Sequence, residues 1–244
     1  MSANPATNIK VRKASERGHA NHGWLDSHFT FSFADYQDPK YMGFRSLRVI
    51  NEDHIAPGKG FGLHPHKDME IITYVIAGEL KHQDNIGNSS VIKAGHIQKM
   101  SAGSGVTHSE FNPSATSETH LLQIWIVPAQ KNLKPSYQEM NAARSAKKNG
   151  LLLVASDEIR KEGVIKICQD ASLYLGRAEN GETLDYETDS SRGLWIQMIN
   201  GALSVNGVDL KASDGAAIEE QGAVEFIAGE NSEFLLFDLG STAA

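Results

Sequence analysis

A chain of 244 residues with 40% hydrophobic and 22% charged side chains has the make-up of an ordinary globular protein, with room for one large domain or two of about 120 residues. Its net charge of −7 argues against nucleic acid and anionic lipid as partners, and its one cysteine, Cys168, rules out an internal disulfide and a cysteine-built zinc centre. No apolar run approaches the roughly 20 residues of a membrane helix, and Met1–Lys10 lacks the apolar core of a secretory signal, so a cytoplasmic setting is expected.

In chain order, the elements read as short strands between turns. Ser46–Ile50 is a first strand, Ile71–Ile76 a second, stopped by Ala77-Gly78-Glu79, and Leu121–Val127 a third, ended by Pro128. Pro57-Gly58-Lys59-Gly60, Asn85-Ile86-Gly87-Asn88, Lys93-Ala94-Gly95 and Gly103-Ser104-Gly105 supply the turns. Such spacing points to an all-β barrel or sandwich with little helix. One helix is predicted, over Tyr137–Lys148, with Ser136 as N-cap and Gly150 as stop. The second half then repeats the first in outline. Thr73–Leu80 resembles Ile196–Leu203, Val91–Gly95 resembles Val208–Ala212, and Leu121–Trp125 resembles Phe234–Asp238. A duplicated barrel follows, divided into residues 1–130, a linker over 131–150, and residues 151–244.

The two halves differ in histidine. All ten lie between His19 and His120. In His64-Pro65-His66, residues i and i+2 of a strand share a face, so both imidazoles can grip one ion. His108-Ser109-Glu110 repeats that geometry. Two such pairs on neighbouring strands offer three nitrogens and a carboxylate, a set suited to one Fe, Mn, Ni, Co, Cu or Zn ion and not to Mg or Ca. Glu70 competes with Glu110 for the fourth position, having the parity of His64 if the strand continues; Glu110 has the better local spacing. His22 and His28 read as structural, and His82, His96 and His120 as surface or hydrogen-bonded core residues, since none has a partner at ligand spacing. Gly103-Ser104-Gly105 is not a nucleophile elbow, and Gly58–Gly62 is not a phosphate-binding loop.

Gly58, His64, His66, Glu70 and Gly78, followed by Gly95, Gly103, His108 and Asn112, resemble the two motifs of the cupin superfamily. The departures are one extra residue before Gly78 and Ser101 where proline is usual. Gly18–Leu25, His28–Phe33, Leu47–Asp53, His64–Glu70 and Met100–Gly103 further resemble the pirin family, and the likeness runs from about Val11 to Leu239. That resemblance implies two tandem cupin (jelly-roll) barrels, the N-terminal one metal-bearing and the C-terminal one metal-free. It implies His64, His66, His108 and Glu110 as ligands, with Fe(2+) the usual ion. It also implies quercetin 2,3-dioxygenase activity on a flavonol and O2, with Glu110 or Glu70 taking the substrate proton. The alternative it leaves open is a redox-dependent regulator that binds a protein partner.

Overall fold

A computed structural model describes residues 8–157 and 163–241. The strands in chain order are β1 (Ile9–Arg12), β2 (Gly18–Asn21), β3 (Leu25–Phe29), β4 (Leu47–Ile55), β5 (Gly60–His66), β6 (Glu70–Ala77), β7 (Glu79–Asp84), β8 (Ser89–Lys93), β9 (His96–Ser101), β10 (Val106–Phe111), β11 (Thr119–Ile126) and β12 (Ser136–Asn141). After the one-turn α1 (Ala142–Ser145) come β13 (Gly150–Ser156), β14 (Ile165–Lys166), β15 (Ala171–Ala178), β16 (Thr183–Glu187), β17 (Gly193–Asn200), β18 (Ala202–Val205), β19 (Val208–Lys211), β20 (Gly215–Ile218), β21 (Ala223–Ala228) and β22 (Ser232–Leu239).

The chain forms two compact units. In the first, Gly18–Arg144 with Asp157–Gln169, a sheet in the order β12-β9-β6-β11-β4-β3-β2 packs on a four-stranded sheet, β5-β10-β7-β8. Leu25, Ile55, Val75 and Leu121 from the larger sheet meet Leu80 and Ile92 from the smaller to close the core. In the second unit the strands run β1-β20-β17-β22-β15-β13 against β16-β21-β18-β19. Leu194, Ile196, Met198, Phe234 and Leu236 pack there against Leu203, Val205, Val224 and Phe226. Two sheets facing across an apolar layer are what period-2 patterning dictates when one face of each strand must be buried.

The repeat read from the sequence holds at the level of strand order: β6 and β17 take equivalent places, as do β11 and β22. Both β6 and β17 are followed by a glycine with φ of +76°, Gly78 and Gly201. A Cβ there would fall 2.5 Å from Glu118 O in one unit and 2.3 Å from Asn231 O in the other, so each turn needs glycine twice over, for its φ and for the space.

Three expectations change. The helix predicted over Tyr137–Lys148 is a strand for its first half: Ser136–Asn141 pairs with β9, Ser136 opposite Ser101, and only Ala142–Ser145 is helical. A sheet edge at β9 takes this strand, a demand that helix propensity cannot outweigh. Consequently much of the 131–150 stretch belongs to the first unit. Residues 9–12, placed in the N-terminal domain by the sequence, pair with β20 of the second unit, where Ile9 and Val11 pack on its core. Finally, the strand expected over Ser46–Ile50 runs on to Ile55 through the polar Asn51-Glu52-Asp53-His54. Among the described residues no helix is long and apolar enough to cross a membrane.

Candidate metal centre

The centre sits on three adjacent strands of the smaller sheet in the first unit. β10 lies between β5 and β7, with His108 opposite His64 on one side and opposite Asp84 on the other. Alternation sends His64 and His66 of β5, His108 and Glu110 of β10, and His82 and Asp84 of β7 to the inner face. A bulge between His108 and Glu110 in the β5 pairing brings Glu110 opposite Phe61. The strands close tightly below it: a Cβ on Gly60 would lie 2.2 Å from Glu110 O, so only glycine allows this approach.

Three of the four expected ligands converge. The rings of His64 and His108 are 4.4 Å apart, those of His64 and His66 4.8 Å, and those of His66 and His108 4.9 Å. Potential ligand atoms of the three lie within 4.8 Å of one another, and Glu110 forms a second such group with His108 and His82. Burial, and then the neighbouring His64, pushes the His66 imidazole down to about 4. Burial, followed by His64, His66 and His82, pushes His108 down to about 3. All of this favours neutral imidazoles, the form that ligates.

The hydrogen bonds assign the tautomers. His64 Nδ1–H donates to Gly62 O at 2.8 Å, leaving Nε2 as a bare lone pair. His82 Nε2 lies 3.2 Å from Asp84 Oδ2, so that nitrogen carries the proton and Nδ1 is the acceptor. His108 Nδ1, 3.4 Å from His82 Nδ1, is then the donor. The remaining nitrogen, His108 Nε2, is buried with no hydrogen-bond partner among the described residues. An orphaned acceptor costs about 1–3 kcal/mol, and an ion placed among the three rings relieves that cost. The donor set therefore fits a borderline transition metal.

Glu110 is fixed rather than free. Gln98 Nε2 donates to its Oε1 at 2.8 Å and Gln123 Nε2 to its Oε2 at 2.9 Å, while the Thr73 hydroxyl donates to Gln123 Oε1 at 3.0 Å. Burial pushes its carboxyl up to about 7, against the hydrogen bond from Gln123. Glu70 is not brought to the centre. The strand does not continue through Lys67–Met69, and Glu70 opens β6 in the other sheet. On β6 it has the opposite parity to Thr73, which faces Glu110's amide partners. Its carboxylate instead accepts from the Ser101 hydroxyl at 2.8 Å and pairs with Lys99 at 3.8 Å, all three buried.

Sequence reasoning missed four contributors. His82 is fully buried in the cluster, signalled only by Asp84 two residues on. Tyr137 stacks its ring on His82 at 4.9 Å and sets its hydroxyl 3.0 Å from Gln98 Oε1. Asn51 and Asp53, on the inner face of β4, line the adjoining cavity; they lie in the polar run Asn51–His54, which carries no strand signal of its own. That cavity, of about 500 Å³, is walled by Trp24, Leu25, Phe29, Phe33, Phe61 and Trp125, with His64, His66, Glu110, Gln123, Asn51 and Asp53 among its polar groups. His66 meets Trp125 edge-on at 5.0 Å. Asp53 accepts a short hydrogen bond from Ser27, and burial pushes its carboxyl up to about 6.

Known proteins resemble this chain. Residues 10–126 match the family model described as Pirin, and residues 153–239 the one described as Quercetinase C-terminal cupin domain. The quercetin 2,3-dioxygenase of Escherichia coli (strain K12) is 49% identical over 231 residues, covering 95% of this chain and 98% of its own. A pirin-like protein of Caulobacter vibrioides is 40% identical over 221 residues, 91% of this chain and 95% of its own. The crystal structure of the bacterial pirin YhhW from Escherichia coli in complex with nickel(II) superposes with a TM-score of 0.91 at 48% identity, covering 96% of this chain and 99% of that one. Fold and site together define an all-β protein of two tandem cupin domains. With a family model over most of the first domain and close relatives along nearly the whole length, the chain belongs to the pirin family.

Proposed function

We propose that this protein is a metal-dependent quercetin 2,3-dioxygenase, with one divalent transition ion held by His64, His66, His108 and Glu110. The observation that carries this reading is the Nε2 of buried His108, without a hydrogen-bond partner among the described residues and set beside His64 and His66, which line an aromatic cavity. Iron is the ion the family resemblance implies; a relative binds nickel(II).

When bound, the ion supplies Lewis acidity toward the substrate's oxyanion and a redox-active centre for chemistry with O2. The rest falls to the chain's own side chains. Trp24, Phe29, Phe33 and Trp125 offer flat apolar walls to the fused rings of a flavonol and keep bulk water from the reacting carbon. Asn51 Oδ1 and Trp125 Nε1, both buried without a hydrogen-bond partner among the described residues, are available to the substrate's polar edge as acceptor and donor. Asp53, steered by Ser27, accepts the proton of the acidic 3-hydroxyl. In this reading Asp53 replaces Glu70 as the proton acceptor, while Glu110, clamped by two amides, stays a ligand. The C-ring then opens with uptake of O2 and release of carbon monoxide.

The test is oxygen uptake and carbon monoxide release from quercetin by protein loaded anaerobically with Fe(2+) or Ni(2+). Turnover well above autoxidation, lost on metal removal and in Glu110→Ala, is the expected result. Uptake no faster than autoxidation in fully loaded protein overturns the proposal.

A further inference from the structure

The outer face of the larger sheet in the same unit carries a second concentration of metal-binding chemistry. Along β4, Asn51 and Asp53 point inward, so Glu52 and His54 point out. On the neighbouring strands Asp26 and His120 stand opposite His54, and His28 stands opposite Glu52. Four strands thus place four imidazoles and several carboxylates on one outer surface, separated from the inner centre by the thickness of the sheet.

We propose that Glu52, His54 and His120 form a second divalent-metal site, open to solvent, for a borderline ion such as Zn(2+), Ni(2+) or Cu(2+). The His54 and His120 rings stack 4.0 Å apart at an interplanar angle of 15°. His120 Nε2 lies 3.0 Å from Glu52 Oε1, and potential ligand atoms of all three residues fall within 4.8 Å of one another. Bonds of about 2.0–2.2 Å in a tetrahedral shell set neighbouring ligand atoms roughly 3.3 Å apart, so the imidazole–carboxylate pair is already spaced like two ligands of one ion. His54 Nδ1 is 2.6 Å from Glu118 Oε1. A carboxylate behind a histidine fixes its tautomer, raises its basicity and leaves Nε2 as the ligating atom. The site is half-open: side-chain exposure falls from 35% at His54 to 21% at His120 and 10% at Glu52. Imidazole donors select against Mg(2+) and Ca(2+), and three protein ligands leave a coordination position facing solvent. Beside it, His19 Nε2 lies 2.8 Å from Asp26 Oδ1 and its ring stacks on His28 at 4.4 Å, adding negative charge and further donors on the same face.

The test counts ions, independently of turnover. Co(2+) and Zn(2+) are titrated into metal-stripped protein, following Co(2+) d–d absorption and bound metal after dialysis. The native chain should take two equivalents, His54→Gln/His120→Gln one, and His64→Ala/His66→Ala one. Glu52→Gln should weaken the second equivalent by at least about tenfold, and His96→Gln should leave both in place. The proposal is overturned if the native chain binds a single equivalent, or if the His54/His120 variant still binds two. Loss of the inner centre is read separately, in the His64/His66 variant.

Discussion

The two units share a strand order and differ in what their smaller sheets point inward. In the first, β5, β10 and β7 present His64, His66, His108, Glu110, His82 and Asp84. In the second, the equivalent β21 and β18 present Val224, Phe226, Leu203 and Val205 to its core, with Leu184 and Tyr186 of β16 packed against it. Where one barrel keeps a cavity of about 500 Å³ beside its polar cluster, the other is filled, with Phe226 and Phe234 packed at 5.3 Å between ring centroids. The same scaffold therefore serves opposite ends. A hollow, partly unsatisfied interior gives up stability for chemistry, and an apolar interior does the reverse.

That contrast can be broken from either side. The largest effect is expected for His64→Ala/His66→Ala, which leaves one imidazole of three; metal analysis after dialysis should find no ion at the inner centre. In the filled unit, Phe226→Ala should cost about 3–5 kcal/mol, read as a lower denaturation midpoint with the inner metal retained.

Asp53 sharpens the comparison through pH. Its raised carboxyl means that the base form grows in as pH rises through about 6, so turnover limited by proton acceptance should climb there and level off above. Asp53→Asn should flatten that limb and lower kcat on the order of 100-fold. The stability sign is opposite. A carboxyl raised from 3.8 favours the folded state most at low pH, and that contribution is lost as pH passes about 6. Above that pH the variant should be the more stable protein, by denaturant titration at pH 5 and pH 8. The smallest effect is expected for His82→Leu, which removes the group that sets the His108 tautomer along with its bond to Asp84; metal affinity should fall by about 10–100-fold with the three rings intact.

How far the sequence speaks follows from which of these features are local. The parity of His64 with His66, and of His108 with Glu110, is a property of three consecutive residues, and both pairs do point inward together. The duplication showed because Gly78 and Gly201 mark the same turn. Glu70 misled because parity carries across residues only while a strand lasts, and Lys67–Met69 interrupts it. Tyr137 and His82 were hidden for a different reason. Their meeting depends on β12 adding to the free edge of β9, and edge pairing is decided between segments distant in sequence. Asp53 fell in a run of four polar residues that looks like a loop until its flanking partners, β3 and β11, hold it extended.

The pairing of β1 with β20 bears on how the protein is made. Ile9 leaves the ribosome before its partner Ile218, which is about 200 residues further along. At ordinary synthesis rates that is a delay of roughly 10–40 s. Through that interval the opening strand has no sheet to join, although most of the histidine-rich unit, from β2 to β12, is already available to fold. The order of assembly is thus written into the topology: the unit equipped for chemistry can close early, and the apolar one only when β1 and β20 have met.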